Sequence, residues 1–381
     1  MKTHLFLIQN AAMTKTVVLG MSGGVDSSVC AVLLKEMGYR VIGLFMKNWD
    51  ELDENGKCTA SLEYEDVVSV CKKLDIPHYS VNFVKEYKEK VFDEFLADFQ
   101  KGLTPNPDVL CNREIKFKVF YEKAMELGAD YLATGHYCQT DEYGNLLKGL
   151  DAGKDQSYFL YAVKSDVLKK VLFPIGNLQK KEVRKIAKDY DLKTQDKKDS
   201  TGICFIGERN FKNFLGNYLD YKKGNFLDLS GNKVGEHTGS VYYTLGQRKG
   251  LGLGGQGEPW FVVGKDMEKN IVYVERGLKH PAMFSDSLIA SELTWVSPID
   301  MVFPFVCKAK VRYRQADQDC IIEKMEDGKV YVSFPIPQRS ATPGQSIVFY
   351  QENTCLGGGK IMSVGPSYFE QKKELPISLS L

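Results

Sequence analysis

The spacing of apolar residues divides the chain into a first part of alternating strands and helices and a later part of short strands. Up to about residue 200, apolar runs typical of buried strands, such as Val41–Met46 and Tyr131–Thr134, alternate with segments of helical period. One of these predicted helices carries Val67, Val70 and Leu74 on its apolar face. Such alternation with right-handed crossovers predicts an α/β fold with a doubly wound parallel sheet, which binds ligands at the carboxyl ends of its strands.

The pattern changes after residue 205. Residues 206–284 combine an aromatic helical stretch, short strands and a glycine-rich segment at 246–257, which predicts a small central domain. From 285 onward, runs such as 306–314 and 321–334, the latter with an Asp327-Gly328 turn, predict a β-barrel. We therefore expect an α/β domain at 13–205, a central domain at 206–284 and a barrel at 285–381. Residues 1–12 would be an extension ahead of an alternative start at Met13.

The most informative segment joins the first predicted strand to a helix and reads Ser22-Gly-Gly-Val-Asp-Ser-Ser28. Gly23 and Gly24 allow close backbone approach, the serine hydroxyls add donors, and a helix N-terminus favours an anion. The segment is neither a Walker A loop nor a dinucleotide G-x-G-x-x-G. It resembles the pyrophosphate-binding loop (PP-loop) of the N-type ATP pyrophosphatases, which cleave ATP between the α and β phosphates. That resemblance implies ATP as a cofactor, and we expect Mg²⁺ with it.

Two further segments place cysteines on loops. Pro105 and Pro107 stiffen a loop that ends on Cys111, at the entry of a helix predicted to begin near Asn112, where the dipole would stabilise a thiolate. Asp108, three residues upstream of Cys111, could exchange protons with the substrate. Cys204 lies between two glycines in Lys198-Asp-Ser-Thr-Gly-Ile-Cys-Phe-Ile-Gly207. A pair of this kind fits a relay in which one cysteine carries sulfur as a persulfide and the other resolves it as a disulfide.

Composition narrows the classes of function. The 381 residues carry a net charge of +1, so RNA binding must rely on local basic patches. Nine cysteines without a C-x-x-C pair fit reduced thiols in the cytoplasm and indicate neither a disulfide framework nor a zinc site. No apolar run approaches the ~20 residues of a membrane span, so we expect no membrane partner.

Together these segments identify the chain as a member of the tRNA-specific 2-thiouridylases, the MnmA/TrmU family. The resemblance covers about residues 14–362. Further matching segments are Phe45-Met-Lys-Asn-Trp49, Ala133-Thr-Gly-His-Tyr137, Lys154-Asp-Gln-Ser-Tyr-Phe-Leu160, Thr244-Leu-Gly-Gln-Arg-Lys-Gly250 and Thr342-Pro-Gly-Gln-Ser346. It implies a PP-loop ATP pyrophosphatase domain, a small central domain that contacts tRNA and a C-terminal β-barrel.

The activity that the resemblance implies is 2-thiolation of the wobble uridine in the anticodon loop of tRNA. ATP would adenylate the C2 oxygen and release pyrophosphate, and sulfur from a cysteine persulfide would then displace AMP. A persulfide donor protein would be a second partner, and we expect a cytoplasmic monomer.

The resemblance also implies roles for individual residues. Cys111 would be the nucleophile and Cys204 the persulfide carrier, with a redox-active Cys111–Cys204 disulfide, and Asp108 would act as acid or base. The expected ATP-binding residues are Gly20, Met21, Ser22, Gly23, Gly24, Val25, Asp26, Ser27, Met46 and Gly135. The residues expected at the tRNA or its target base are Asn106, Pro107, Asp108, Lys154, Asp155, Gln156, Arg312 and Tyr313. For His136, structural support and nucleotide contact both remain open.

Two basic stretches could contact RNA. Strand alternation over 306–314 would put four cations on one face, either as a phosphate rail or as a solvated surface. They are Lys308, Lys310, Arg312 and Arg314. A predicted helix carries Lys180, Lys181, Arg184, Lys185 and Lys188, for which a solvated face is favoured. The glycine-rich segment at 246–257 is either a loop that orders on RNA or a linker.

Three other functions are compatible with parts of the sequence. An amide-forming ligase would use the PP-loop but not the cysteine pair. A different type of thiolase would hold an iron–sulfur cluster on Asp108, Cys111 and Cys204. A non-catalytic tRNA-binding protein would retain the nucleotide site without turnover.

Overall fold

A five-stranded parallel sheet forms the centre of the first part of the molecule. The structure, a computed structural model, describes residues 14–49, 59–199, 211–219 and 221–377. The strands in this part of the chain are β1 (Thr16–Met21), β2 (Arg40–Lys47), β3 (His78–Asn82), β4 (Tyr131–Ala133), β5 (Cys138–Thr140), β6 (Leu146–Lys148) and β7 (Val171–Leu172). The sheet has the order β3-β2-β1-β4-β7, and all its pairings are parallel. The predicted doubly wound α/β sheet is thus confirmed.

The strand order fixes where a ligand can enter. The chain proceeds outward from β1 to β2 and β3, then returns to the other side of β1 with β4. Crossovers that leave a sheet in opposite directions open a crevice at the carboxyl ends of the two strands where the order reverses. Those ends are Met21 of β1 and Ala133 of β4, and the segments that follow them are Ser22–Ser28 and Thr134-Gly-His136.

Helices pack on this sheet and lead into the site. Their bounds are Val25–Glu36, Thr59–Lys73, Val84–Tyr87, Asp93–Gln100, Pro107–Leu110, Phe120–Glu126, Ser157–Leu160, Ser165–Leu168, Lys180–Asp189 and Phe211–Gly216. Wider π-type turns occur at Lys88–Phe92 and Cys111–Val119, and 3-10 turns at Ser240–Tyr242 and Pro281–Met283. In the part of the chain that the structure describes, no helix is both long and apolar enough to cross a bilayer.

The helix that carries Cys111 begins earlier than the sequence predicts. Asn106 has extended backbone angles, Pro107 occupies the first helical turn, and Pro107–Leu110 continues directly into Cys111–Val119 and Phe120–Glu126. Proline suits a first turn because its missing N–H is not needed there. The predicted start near Asn112 is therefore wrong, and Cys111 lies a full turn inside the helix.

The central part forms a small four-stranded sheet. Its strands are β8 (Gly224–Leu227), β9 (Lys233–His237), β10 (Trp260–Asp266) and β11 (Ile271–Arg276), in the order β10-β11-β8-β9. Val262, Val272 and Val274 form its buried core together with aromatic neighbours. Asp266 ends β10 and Ile271 begins β11, so the tight turn between them presents Met267 toward the first part of the chain, where it contacts Gly102.

The C-terminal part is a closed six-stranded antiparallel barrel, as predicted. Its strands are β12 (Phe284–Trp295), β13 (Phe305–Lys310), β14 (Gln318–Glu326), β15 (Lys329–Arg339), β16 (Ser346–Gln351) and β17 (Thr354–Val364). The order is β12-β15-β14-β13-β16-β17, and pairing of β12 with β17 closes the barrel. The hairpin β5–β6 pairs with β17 through Leu146 and Leu147, so a piece of the first part extends a barrel strand ladder.

Strand β13 is shorter than the sequence suggests. It ends at Lys310, so the predicted continuous strand over 306–314 is wrong, and Arg312 and Arg314 lie in the turn that follows. The physical reason is a turn in which the Gln315 backbone N–H donates to the Arg312 carbonyl and the Val311 backbone N–H donates to Gln315 Oε1. Lys310 itself is buried and pairs with Asp155. The four cations therefore do not line one strand face.

Candidate active site

The segment Ser22–Ser28 forms a tight loop at the N-terminus of the helix Val25–Glu36. The Ser22 backbone N–H donates to Ser27 Oγ over 3.2 Å, and the Ser28 hydroxyl donates to the Gly24 carbonyl over 2.8 Å. Gly23 has φ +71°, and a Cβ there would lie 2.5 Å from the Glu63 carbonyl oxygen. Only glycine fits this position, and the loop aims a helix N-terminus at the crevice beyond β1.

Asp26, in the first turn of that helix, is the centre of a charged network. Lys180 Nζ lies 2.8 Å and 2.9 Å from its two carboxylate oxygens, and the Tyr137 hydroxyl donates to Oδ1 over 2.7 Å. Burial and the Asp26 carboxylate raise the pKa of Tyr137, so the phenol remains a donor. Lys180 of the predicted basic helix face thus forms an internal ion pair with Asp26.

Asp199 extends the network toward the residues predicted to bind tRNA. It pairs with Lys180, Lys154 and Arg184 at distances of 2.7–2.9 Å. Although burial opposes the shift, hydrogen bonds from Lys154 and Lys180 lower the pKa of Asp199 to about 2. A fixed negative charge therefore holds three cations near the phosphate loop.

Gly135 brings the end of β4 against the phosphate loop. A Cβ on Gly135 would lie 3.1 Å from the Ser27 backbone nitrogen, so the two segments touch. Gly20 and Met21 end β1, and Met46 lies half-buried near the end of the neighbouring β2. The ATP-binding residues expected from the resemblance thus come from three adjacent strand ends.

His136 follows Gly135 and is buried between Thr134 and Lys116. Its Nδ1 lies 2.8 Å from Thr134 Oγ1, and its Nε2 lies 3.4 Å from Lys116 Nζ. Because an ammonium group only donates, Nε2 accepts and Nδ1 carries the proton. Burial and the Lys116 charge lower the pKa of His136 well below its usual value, so the imidazole is neutral at pH 7.

Asp108, Cys111 and Lys116 lie on one continuous helix. Cys111 is 1% exposed, and its backbone N–H already bonds to carbonyls of the preceding turn. Burial raises the pKa of Asp108, and the Lys116 charge partly opposes that shift. The turns at Cys111–Val119 are π-type, and Phe117 within them has φ −102° and ψ 17°. Such irregular turns occur frequently at functional sites.

The segments predicted to contact tRNA meet between the first part and the barrel. Tyr313 packs on Phe159 with ring centroids 4.3 Å apart, and its hydroxyl lies 3.4 Å from the Lys154 carbonyl. The Arg312 guanidinium donates to the carbonyls of Leu245 and Ser340 over 2.8 Å each. Arg312 therefore also ties the glycine-rich segment of the central part to the barrel.

Asp155 and Gln156 have internal partners. The Asp155 carboxylate accepts hydrogen bonds from the backbone N–H groups of Gly149 and Ser157 and from the Ser157 hydroxyl, and it pairs with Lys310 at 3.3 Å. Gln156 Oε1 accepts from the Tyr137 backbone N–H over 3.0 Å. In this arrangement both side chains shape the loop, and their contact with tRNA stays a prediction.

Comparison with known proteins shows to which family the chain belongs. Three family models match successive parts of the chain: a tRNA methyl transferase HUP domain at residues 15–208, a tRNA methyl transferase PRC-barrel domain at 212–276, and an aminomethyltransferase beta-barrel domain at 285–361. A tRNA-specific 2-thiouridylase MnmA from Protochlamydia amoebophila is 61% identical over 366 residues, covering 95% of this chain and 97% of the relative. One of the same name from Bacillus subtilis is 56% identical over 352 residues, covering 91% and 95%.

The chain belongs to the tRNA-specific 2-thiouridylase family. The resemblance drawn from its motifs is confirmed. Among solved structures, the U34-tRNA thiolase NcsA from Methanococcus maripaludis is 21% identical and covers 50% of this chain and 61% of that one. Its TM-score is 0.34.

The structure describes the predicted site residues except Cys204. The phosphate loop touches Gly135, and the adjacent His136 contacts Lys116 on the helix with Asp108 and Cys111. Lys154 is linked to the loop through Asp199 and Lys180. Cys204 falls outside the described residues, as do residues 1–13. The Cys111–Cys204 disulfide therefore remains a prediction.

The sequence did not indicate several residues of the site. Lys116, Tyr137 and Asp199 lie close to the expected residues in sequence, but their roles arise from contacts between distant segments. Lys116 had one signal, since it follows Cys111 by one π-type turn on the same helix. Asp199 had none, because a carboxylate at the end of a lysine-rich stretch is ordinary surface chemistry.

The loop that precedes Cys111 is held by both other parts of the molecule. The Thr104 backbone N–H donates to the Pro343 carbonyl over 3.0 Å, and Gln345 Nε2 donates to the Thr104 carbonyl over 2.7 Å. From the central part, Lys265 Nζ donates to the Gly102 carbonyl over 2.7 Å. The segment Thr342–Ser346 thus has an evident task, which is to dock the barrel against this loop.

Proposed function

We propose that the protein uses ATP and a persulfide to replace the C2 oxygen of the wobble uridine of tRNA with sulfur. Support comes from membership of the 2-thiouridylase family over almost the whole chain. The single observation that carries the proposal is the contact of the Ser22–Ser28 loop with Gly135, next to which His136 contacts Lys116 of the helix bearing Asp108 and Cys111. A nucleotide phosphate and a nucleobase can react only where two such sites adjoin.

In the first half-reaction the uridine C2 oxygen attacks the α-phosphate of ATP. The bond between the α and β phosphates breaks, pyrophosphate leaves and an adenylated base forms. Backbone N–H groups at the start of the helix Val25–Glu36 receive the phosphates. Lys116, which lies beside His136 and whose charge acts on Asp108, offsets the negative charge that develops. Lys180 can move from Asp26 to the leaving pyrophosphate.

Asp26 is the carboxylate at the phosphate loop that would hold Mg²⁺. Its oxygens face Lys180 and Tyr137 beside the serine hydroxyls, and Mg²⁺ prefers one or two carboxylates plus phosphate oxygens. The ion would neutralise charge on the triphosphate. Asp26 can take that task once Lys180 turns from its oxygens to the phosphates.

In the second half-reaction Cys204 carries a persulfide received from a sulfur-donor protein. The Cys111 thiolate attacks the Cys204 sulfur of that persulfide, a Cys111–Cys204 disulfide forms, and sulfide is released beside C2. Sulfide adds to C2 and AMP leaves with the original oxygen. A thiol reductant then returns both cysteines to thiols. Direct attack of the persulfide on C2 gives the same products.

The target base must leave the anticodon stack to reach Asp108 and Cys111. Bases of single-stranded loops are accessible for such recognition, often by stacking on aromatic rings. Tyr313 and Phe159 offer an aromatic surface beside Lys154. We assign Asn106, Pro107 and Asp108 to the base, and Lys154, Gln156, Arg312 and Tyr313 to the surrounding RNA. Cytoplasmic location and a monomeric state belong to the same proposal.

The test measures the products of ATP when protein, tRNA and a persulfide donor are mixed. AMP and pyrophosphate are expected in amounts equal to the 2-thiouridine formed. Cys111→Ser should still release one pyrophosphate per enzyme without thiolation, whereas Asp26→Asn should lose both steps. ADP and phosphate as products would overturn the adenylation step.

A visible absorption band in anaerobically purified protein, lost in Cys111→Ser, would instead favour the iron–sulfur thiolase. Binding of tRNA and ATP without any product would favour the non-catalytic RNA-binding protein. Pyrophosphate release without tRNA but with ammonia and a carboxylic acid would favour the amide-forming ligase.

A further inference from the structure

Two cysteines outside the proposed catalytic pair face each other inside the barrel. Cys307 on β13 lies directly opposite Cys320 on β14 in the antiparallel ladder. Their sulfur atoms are 3.5 Å apart, and the residues are 7% and 1% exposed. Both side chains therefore point to the same side of the sheet, into the barrel core.

This placement satisfies the geometry of a disulfide. Residues directly opposite in an antiparallel pair have Cα atoms about 4.5–5.5 Å apart. That separation lies within the range of about 4.4–6.8 Å found in disulfides. The sulfur atoms need to approach by about 1.5 Å to reach a bond length of about 2.05 Å, which small side-chain rotations can supply.

Other buried cysteines provide a contrast. Cys138 lies opposite Lys148 in its ladder, and Cys355 lies opposite Leu146 on one side and Tyr350 on the other. These two are as buried as Cys307 and Cys320, at 0% and 1% exposed. Burial alone therefore does not explain the juxtaposition of Cys307 with Cys320.

We propose that Cys307 and Cys320 form a reversible intramolecular disulfide that locks the β13–β14 hairpin. The two thiols lose two protons and two electrons to an oxidant such as hydrogen peroxide, which becomes two molecules of water. A dithiol reductant reverses the step. The reaction is independent of the proposed sulfur transfer and needs no tRNA or ATP.

The position of Cys307 and Cys320 determines what a disulfide between them does to the hairpin. The two cysteines close the base of a hairpin whose connecting segment, 311–317, contains Arg312 and Tyr313. A cross-link there limits fraying of β13 from β14 and so holds that segment in place. The hydrogen bond to Cys307 and burial raise the pKa of the Cys320 thiol, so thiolate is scarce and oxidation is slow compared with an exposed thiol.

The test treats the full-length protein with hydrogen peroxide until its content of free thiols stops falling, followed by alkylation, trypsin and mass spectrometry. Lys308, Lys310, Arg312 and Arg314 lie between the cysteines, so trypsin separates the two peptides. A linked pair, lost on reduction, is expected from the unmodified protein and from Cys355→Ser, and is absent from Cys307→Ser and Cys320→Ser. Recovery of Cys307 and Cys320 as thiols, or linked to other cysteines, would overturn the proposal.

A second measurement addresses the lock. In the Cys111→Ser background, which excludes the proposed Cys111–Cys204 disulfide, the oxidised protein should have a higher thermal midpoint than the reduced protein. This difference should vanish when Cys307→Ser is added. An oxidised form with a lower midpoint would mean that the bond strains the barrel, and the proposed lock would be wrong.

Discussion

At the residue scale, the site owes its chemistry to neighbours that set the charge of each group. Lys116 is the clearest case, since it lies beside His136 and lowers the pKa of both His136 and Asp108 below what burial and the other contacts would give. Burial is the larger cause of the neutral His136 imidazole, and the Lys116 charge adds to it while favouring an ionised Asp108. Both contributions of the cation are lost together if its charge is removed.

We predict that Lys116→Met lowers the rate of pyrophosphate release about 10²–10³-fold, the usual cost of removing one group that stabilises transition-state charge. The acid limb of the pH–rate profile should move to higher pH, because the Asp108 pKa, already raised by burial, loses the opposing Lys116 charge. Single-turnover assays at several pH values check both points.

Lys118→Met is the matched control, since Lys118 lies two residues on and pairs with Glu114 at the exposed surface. It should leave the rate and the pH profile close to those of the unmodified protein. Equal effects of the two substitutions would contradict the proposed position of Lys116 in the reaction.

Sequence predicts much of the site at this scale, because the loop Ser22–Ser28 is local. Gly23 and Gly24 indicate the turn, and the serines indicate the donors. Lys116, Tyr137 and Asp199 could not be found in that way. Lys116 contacts His136 20 positions away, Tyr137 contacts Asp26 111 positions away, and Asp199 contacts Lys154 45 positions away. Such contacts follow from the packing of helices on the sheet.

At the element scale, the accuracy of each prediction from sequence depended on which side chains the element buries. The sequence predicts the first helix and the parallel strands correctly because their apolar residues are buried in the two cores on either face of the sheet. The strand over 306–314 was predicted too long, because the alternation of residue types continues past Lys310 while the backbone turns at Arg312–Gln315. Alternation also cannot distinguish an exposed lysine from a buried one. Lys308 pairs with Asp319 at the surface, whereas Lys310 pairs with Asp155 in the interior.

These two lysines on one strand allow a matched test. We predict that Lys310→Met destabilises the protein by about 3 kcal/mol or more, because it leaves Asp155 buried without its cation. Lys308→Met should change stability little, because its pair with Asp319 is exposed. The urea midpoint of each variant checks the difference.

The double variant Asp155→Asn, Lys310→Met should regain part of the loss, since it leaves no unpaired charge in the interior. If Lys310→Met alone proves as stable as Lys308→Met, the ion pair does not join the barrel to the first part in solution.

At the scale of the whole molecule, three parts of the chain converge on the loop before Cys111. The barrel holds Thr104 through Pro343 and Gln345, and the central part holds Gly102 through Lys265. The hairpin β5–β6 also joins the barrel ladder. Apolar patterns predicted the type of each part but not these contacts, because docking depends on a few polar groups and on small residues such as Gly344.

Lys265 makes this docking sensitive to pH. Burial lowers the pKa of Lys265 from 10.5 to about 8 in the folded protein. Below pH 8 both folded and unfolded states keep the proton, and the folded state bears the cost of a buried charge. Between about pH 8 and 10.5 the folded state has released its proton while the unfolded state retains it, so this group makes stability rise with pH, by at most about 1.4 kcal/mol per pH unit.

We therefore predict that the stability of Lys265→Met, relative to the unmodified protein, falls as the pH is raised from 8 to 10, because the variant lacks this contribution. Lys269→Met is the control, since Lys269 lies on the same turn with an exposed side chain paired to Asp266. Urea unfolding at each pH measures the difference. If the two variants follow the same pH dependence, the amine of Lys265 is hydrated in solution, and the central part is not docked on Gly102 through a buried lysine.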